Sequence, residues 1–222
     1  MRSPQLTEAN ILPLDKNAPD RIETATFGLG CFWSPDAQFG SIPGVVRTRV
    51  GYAGGRKDNP TYHDLGNHTE TVEIDYDPQV LSYADLLDLF WSAHKPLRPS
   101  FKRQYMSLIL YRSDEQKQQA EDTKAREVQK YGEIHTEISP LSRFYLAEDY
   151  HQKYRLRHRP EFMKAFEDIY NDEQFVNSTV AARVNGYLSG YGKLEQLQAE
   201  IDEFGLPDRL CRKLEQHATR SR

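Results

Sequence analysis

The sequence predicts an α/β (α+β) fold, a ferredoxin-like split βαβ two-layer sandwich with a C-terminal helical extension. Two observations carry this expectation. Strand-like and helix-like runs succeed one another as β-α-β-β-α-β from about residue 22, the order of a split βαβ unit with two helices stacked on one face of the sheet. From about residue 160 the pattern is helical throughout. The expected division is an irregular N-terminal arm at 1–21, a main domain at 22–158 and the helical extension at 159–222.

The arm carries three prolines and shows no clear period. IETATFGLG reads as a short strand ending in glycines. PDAQFGSIPG reads as a short helix capped by Ser34 with Pro35 at its first position, closed by Gly40 or by Pro43-Gly44. In the strand VVRTRVGYAGG, Arg47 and Arg49 alternate with Val46, Thr48 and Val50, which places the arginines on a solvated face. The long loop GGRKDNPTYHDLGNH is rich in turn residues, and such loops inside compact domains often carry function. TETVEIDYDP alternates as a strand does. In SYADLLDLFWSAH, Ser82 caps a helix with Asp85 three residues on. A second long loop, KPLRPSFKRQ, leads to the apolar strand YMSLILY. Ser113 then caps a charged helix to about Tyr131, EIHTEI is strand-like, and YLAEDYHQKYRLRH reads as a helix. EFMKAFEDIYND, STVAARVNGYLSG, KLEQLQAEIDEFG and PDRLCRKLEQHA read as successive helices.

Composition narrows the function classes. The net charge of −4 over 222 residues lacks the basic excess of a nucleic-acid-binding protein. Two cysteines, Cys31 and Cys211, form no CxxC pair and are too few for a four-thiolate zinc site or a secreted disulfide framework. The N-terminus has charges and prolines where a signal peptide needs an apolar run, and no window approaches a membrane span. The expectation is a cytoplasmic protein with no membrane or nucleic-acid partner, no cofactor and no metal.

The stretch GLGCFWSPDAQFG places Cys31 where a strand passes into a helix. Backbone N–H groups and the positive end of the helix dipole favour thiolate there, and thiolate is the reactive form. Phe32 and Trp33, side by side, cannot both face one core stripe, so at least one lines a concavity.

GCFW at 30–33, GVVRTRVGYAGG at 44–55, NPTYHDL at 59–65, HTETVEIDYDP at 68–78, QYMSLIL at 104–110 and AEDYHQKY at 147–154 together resemble the peptide methionine sulfoxide reductases of the A type, in order and spacing. The resemblance spans residues 23–155. It implies reduction of the S epimer of methionine sulfoxide, free or in oxidised proteins, with thioredoxin or another thiol as reductant. It also implies Cys31 as nucleophile, Phe32 and Trp33 as the pocket for the sulfoxide methyl, Glu70 as acid, and Tyr62 and Tyr105 as the phenols that hold the sulfoxide oxygen. The chemistry agrees. A sulfoxide sulfur is a poor electrophile until its oxygen is protonated, and a carboxylic acid kept neutral by burial can protonate it. Thiolate attack then leaves a cysteine sulfenic acid.

Two features depart from the family pattern. Ser100 stands where the family has an aspartate that helps fix the phenols, and the glycine-rich tail with resolving cysteines is absent. Cys211 is the only other thiol and hence the one candidate for an intramolecular resolver; its Lys and Arg neighbours are expected to lower its pKa. Ser100 also raises an alternative, a non-catalytic or weakly active methionine- or sulfoxide-binding relative. A cysteine hydrolase using Cys31 and His68 is a further one. Glu148, Asp149 and His151 suggest a metal site, but their spacing matches no known ligand set and they read instead as helix caps and crosslinks.

Overall fold

The structure, a computed structural model, describes residues 11–220. In chain order its regular elements are α1 (Pro13–Lys16), β1 (Glu23–Leu29), α2 (Trp33–Gly40), β2 (Val45–Ala53), β3 (Thr69–Tyr76), α3 (Tyr83–Ala93), β4 (Ser107–Tyr111), α4 (Asp114–Tyr131), β5 (Thr136–Pro140) and β6 (Phe144–Leu146). There follow α5 (Tyr154–Arg157), α6 (Pro160–Glu167), α7 (Asp172–Asn177), α8 (Thr179–Leu188), α9 (Leu194–Glu200) and α10 (Asp208–Arg220). The strands form one sheet in the order β5-β4-β1-β3-β2-β6. β1 runs antiparallel to β3 and β4, β2 antiparallel to β3 and β6, and β5 parallel to β4. The fold is thus mixed α/β.

One core lies between the sheet and its helices. Phe27 of β1 and Val72 and Ile74 of β3 pack with Phe39 of α2, Leu86, Leu87 and Phe90 of α3 and Ala120 of α4. Each of the Val, Ile, Leu and Phe side chains, fully buried, contributes roughly 1.5–3 kcal/mol. Ser82 and Asp85 form the expected capping box on α3, and Ser113 caps α4. Arg47 and Arg49 differ from expectation. They pair across strands with Asp75 at 2.6 Å and Glu73 at 2.7 Å, because the β2–β3 register sets opposite charges side by side.

A second core belongs to the helices after β6. α8 is buried along its whole length and crosses α2 closely. The crossing needs small residues: a Cβ at Gly40 would lie 2.7 Å from the Ala182 carbonyl oxygen. Arg183 of α8 donates to the carbonyls of Gly40 at 2.6 Å and Val45 at 3.0 Å. The part of the arm that is described, residues 11–21, is docked here. Leu12 is buried in this second core. Asp15 accepts from the N–H groups of Thr179 and Val180 and from the hydroxyls of Ser178 and Tyr170. The rest of the expected arm, residues 1–10, lies outside the described residues.

Three local expectations are corrected. α2 begins at Trp33, ahead of Ser34 and Pro35, with Phe32 at the N-cap and no side-chain cap. The stretch read as a helix at 145–158 is instead a short strand, a 3-10 turn at Asp149–His151, a left-handed residue at Lys153 and the single turn α5. Its side chains are drawn to two surfaces at once, which a straight helix cannot serve. Residues 172–177 form a helix of their own, capped by Asn171.

Candidate active site

β1 ends at Leu29, and Gly30 turns the chain with φ +91°, a region open to glycine at little cost. Cys31 follows and is exposed. Its thiol receives the Trp33 N–H and lies near Arg155, both of which lower its pKa, but burial is the larger effect and raises it, as does Glu70. The expected thiolate bias is therefore outweighed. The reason is local: Cys31 precedes the N-cap residue Phe32 and so stands outside the first helical turn.

Glu70 occupies the second position of β3, opposite Tyr52 of β2, and is buried. One carboxyl oxygen accepts the Phe32 N–H at 3.1 Å and the other accepts Gln104 Nε2 at 2.6 Å. Desolvation pushes its pKa up, and these two hydrogen bonds offset part of the rise. The Tyr105 phenol is pushed up to about 12, first by burial and then by Glu70, Tyr62 and Cys31. Those causes place Tyr105, Tyr62, Glu70 and Cys31 in one neighbourhood. Tyr105 arrives on the 3-10 turn Arg103–Tyr105 before β4, and Tyr62 on the long loop after β2, where its N–H donates to Glu148 at 2.9 Å.

Phe32 is buried beside Val50, Tyr52 and Ala147, with Trp33, Tyr62 and Leu65 packed against this group. His151 joins the wall. Its ring lies 5.0 Å from that of Phe32, 4.7 Å from that of Tyr62 and 5.8 Å from that of Trp33. Trp33 Nε1 donates to His151 Nδ1 at 3.1 Å, so in the neutral ring the proton sits on Nε2. That Nε2–H is buried and has no partner among the described residues. Burial lowers the His151 pKa, which keeps the ring neutral. Tyr154 stacks on Trp33 at 3.6 Å with 8° between the planes.

The sequence reading brought Cys31, Phe32, Trp33, Tyr62, Glu70 and Tyr105 to notice, and the structure gathers all six. It read His151 and Glu148 as helix caps and crosslinks and missed Gln104; Glu148 instead clamps two elements, accepting the Tyr62 N–H and, at 2.7 Å, the Tyr52 hydroxyl. Glu148 and His151 thus tie loops around this aromatic cluster and do not cap a helix. No three His, Cys, Asp or Glu side chains among the described residues are grouped to hold a metal. Ser100 is exposed and donates to the Lys102 carbonyl at 2.9 Å, bracing its own loop. His68 is buried, with Nδ1 accepting from the Gly55 N–H at 3.1 Å and Nε2 set against the Lys57 carbonyl at 2.8 Å. Both ring nitrogens are spent on the loop, which leaves no base for a Cys31–His68 pair. Cys211 is half-buried in α10, with its thiol toward the Leu206 carbonyl. Burial, Asp208, Glu215 and Asp202 raise its pKa, opposite to the expected effect of its basic neighbours.

A Trp33→Ala variant should raise KM for a methionine sulfoxide about tenfold, the effect of losing ~55 Å² of apolar contact at ~25 cal/mol per Å². Alkylation of Cys31 by iodoacetamide should change far less. Equal loss of both would assign Trp33 to the start of α2 instead of the pocket.

Comparison with known proteins accords with this geometry. The family model described as peptide methionine sulfoxide reductase matches residues 23–184, and a second, described as the helical domain of selenoprotein methionine sulfoxide reductase A, matches residues 170–210. A peptide methionine sulfoxide reductase of Drosophila melanogaster is 47% identical over 203 residues, covering 90% of this chain and 81% of the relative. One of Methanothermobacter thermautotrophicus is 47% identical over 147 residues, 60% of this chain and 86% of the relative. Among solved structures, methionine sulfoxide reductase A of Corynebacterium diphtheriae superposes with a TM-score of 0.58 at 35% identity, over 64% of this chain and 77% of that one. The chain therefore belongs to the peptide methionine sulfoxide reductase family.

Proposed function

We propose that this chain reduces methionine S-sulfoxide, free or within oxidised proteins, with Cys31 as nucleophile and Glu70 as acid. One observation carries the assignment of roles: a buried carboxyl, driven toward its neutral form, hydrogen-bonded to the backbone next to an exposed thiol. Phe32 and Trp33 receive the methyl group, and Tyr62 and Tyr105 donate to the sulfoxide oxygen. Glu70 shares its proton with that oxygen as the Cys31 sulfur attacks the sulfoxide sulfur. The hydroxyl then passes from the methionine sulfur to the Cys31 sulfur: the S–O bond and the new S–S bond break as an S–O bond to Cys31 forms, methionine leaves with the electron pair, the thiol proton of Cys31 returns Glu70 to its acid form, and Cys31 is left as a sulfenic acid. The antiparallel order β4-β1-β3-β2 supports reading this core, residues 22–158, as ferredoxin-like, with the helices from 159 as an added unit.

One external thiol condenses with the sulfenic acid, releasing water, and a second frees Cys31 as a disulfide leaves. Thioredoxin or a small thiol has the chemistry for both steps. A reducing cytoplasm suits two free thiols, and no helix among the described residues is long and apolar enough to cross a membrane. The half-buried Cys211, with its raised pKa, makes a poor resolver. A Cys211→Ser variant should turn over at the parent rate with thioredoxin. A Cys31–Cys211 disulfide in peptide mass maps of oxidised protein, with loss of turnover in Cys211→Ser, would restore the resolver role.

The deciding experiment is a single turnover. One equivalent of methionine S-sulfoxide, without reductant, should yield one methionine and add one oxygen to the Cys31 peptide. Bound sulfoxide with no methionine formed would support the non-catalytic binding alternative, against which the intact acid and phenols now argue.

A further inference from the structure

Beneath the site lies a charge pair that the proposed chemistry does not use. The side chains of Lys153 and Asp36 have no solvent exposure. One Asp36 oxygen accepts from Thr48 Oγ1 at 2.5 Å and Lys153 Nζ at 3.2 Å. The other accepts from the Lys153 N–H at 3.0 Å and Asn185 Nδ2 at 3.1 Å. Lys153 Nζ also donates to the Thr48 carbonyl at 2.5 Å, and Asn185 Oδ1 accepts from the Leu156 N–H at 3.1 Å. Four parts of the fold meet on one carboxylate: α2, β2, the turn at Lys153, and α8 of the helical extension.

A buried ion pair is weak evidence for stability, since apolar side chains of similar volume often serve as well. What this one supplies is geometry. Lys153 adopts left-handed backbone, φ 52° and ψ 46°. A residue with a Cβ holds that conformation only where its surroundings over-determine it. The side chains on either side of the turn both act on Trp33: His151 accepts its indole N–H, and Tyr154 lies flat on its ring. Asp36 stands one helical turn after Trp33 on the same helix. The carboxylate thus ties both the helix that carries the indole and the turn that clamps it.

We propose that Lys153 and Asn185 are positioning residues of the sulfoxide pocket, through which the helical extension sets the orientation of Trp33. The proposal rests on the pocket assignment above. It makes α8 a working part of the site, although α8 touches no reacting atom.

The test uses the full chain. Trp33 and Trp91 are its two tryptophans, so a Trp91→Phe background leaves Trp33 as the sole indole. Asn185→Ser and Lys153→Met are placed in that background, with far-UV circular dichroism and cooperative unfolding as controls for folding. In whichever variant folds, the Trp33 emission should shift to the red and acrylamide quenching should increase. KM for methionine S-sulfoxide should rise about fivefold or more, with kcat within about twofold, because a coupled network is disturbed away from the reacting atoms. A folded variant with parent emission, quenching and KM overturns the proposal. So does a KM change with no change at the indole, or loss of folding by both variants, which would reduce the network to structural support. If the unsubstituted chain shows no reductase activity, the functional reading fails by itself, and emission and quenching in the Trp91→Phe background still decide whether Asn185 and Lys153 orient Trp33.

Discussion

A Cys31→Ser variant should fold as the parent does and form no methionine from methionine sulfoxide in a single turnover. Both halves follow from position. Cys31 is exposed and contributes no side chain to any of the four apolar clusters, so its replacement should move stability by no more than about 0.5 kcal/mol. Among the described residues Cys31 is also the one thiol beside Glu70, Cys211 lying in α10. A serine hydroxyl is a far weaker attacker on sulfur and has no adjacent base here, since His68 is committed to its loop and the imidazole of His151 receives the Trp33 N–H. Methionine formation by the folded variant at a tenth of the parent rate or more, an order-of-magnitude threshold far above what a missing nucleophile leaves, would refute Cys31 as nucleophile.

Glu70→Gln should slow methionine formation by roughly 10²–10⁴-fold, the usual contribution of a general acid. The glutamine amide can still hydrogen-bond the sulfoxide oxygen but cannot yield a proton. The pH dependence gives a second reading. Burial raises the Glu70 pKa above 4.5, and the acid form is the useful one. The parent's reductive rate should therefore hold at low pH and fall as pH rises through that raised pKa, as far as Glu70 is concerned. In Glu70→Gln this descending limb should vanish. Rapid-quench rates within about threefold of the parent, well below the general-acid range, would show that Glu70 is not the acid.

The residues proposed as reactive were legible because each is tied to a short ordered block: Cys31, Phe32 and Trp33 to one tetrapeptide, and Glu70 and Tyr105 to strand edges. His151 was harder to see. Its partner Trp33 lies 118 residues away, and its segment carries helix-compatible residues that the fold bends around a left-handed Lys153. Lys153 has the same explanation: a lysine in a helix-like run reads as solvent-facing, and its burial depends on an aspartate from another element. The thiol of Cys31 was read with the wrong sign because the helix dipole is visible in sequence and desolvation is not. Strand pairing such as Arg47 with Asp75 likewise depends on register, which alternation along one strand does not disclose.

The docking of the arm has a consequence for how the chain is made. Leu12 donates its N–H to the Tyr170 hydroxyl, 158 residues further on, and Asp15 caps α8 through Thr179 and Val180. During synthesis these early residues leave the ribosome long before their partners exist. At about 5–20 residues per second the wait is roughly 8–30 s. The arm closes only once the second core can assemble, so chains stalled on the ribosome before residue 179 should leave Leu12 open to protease, and completed chains should not.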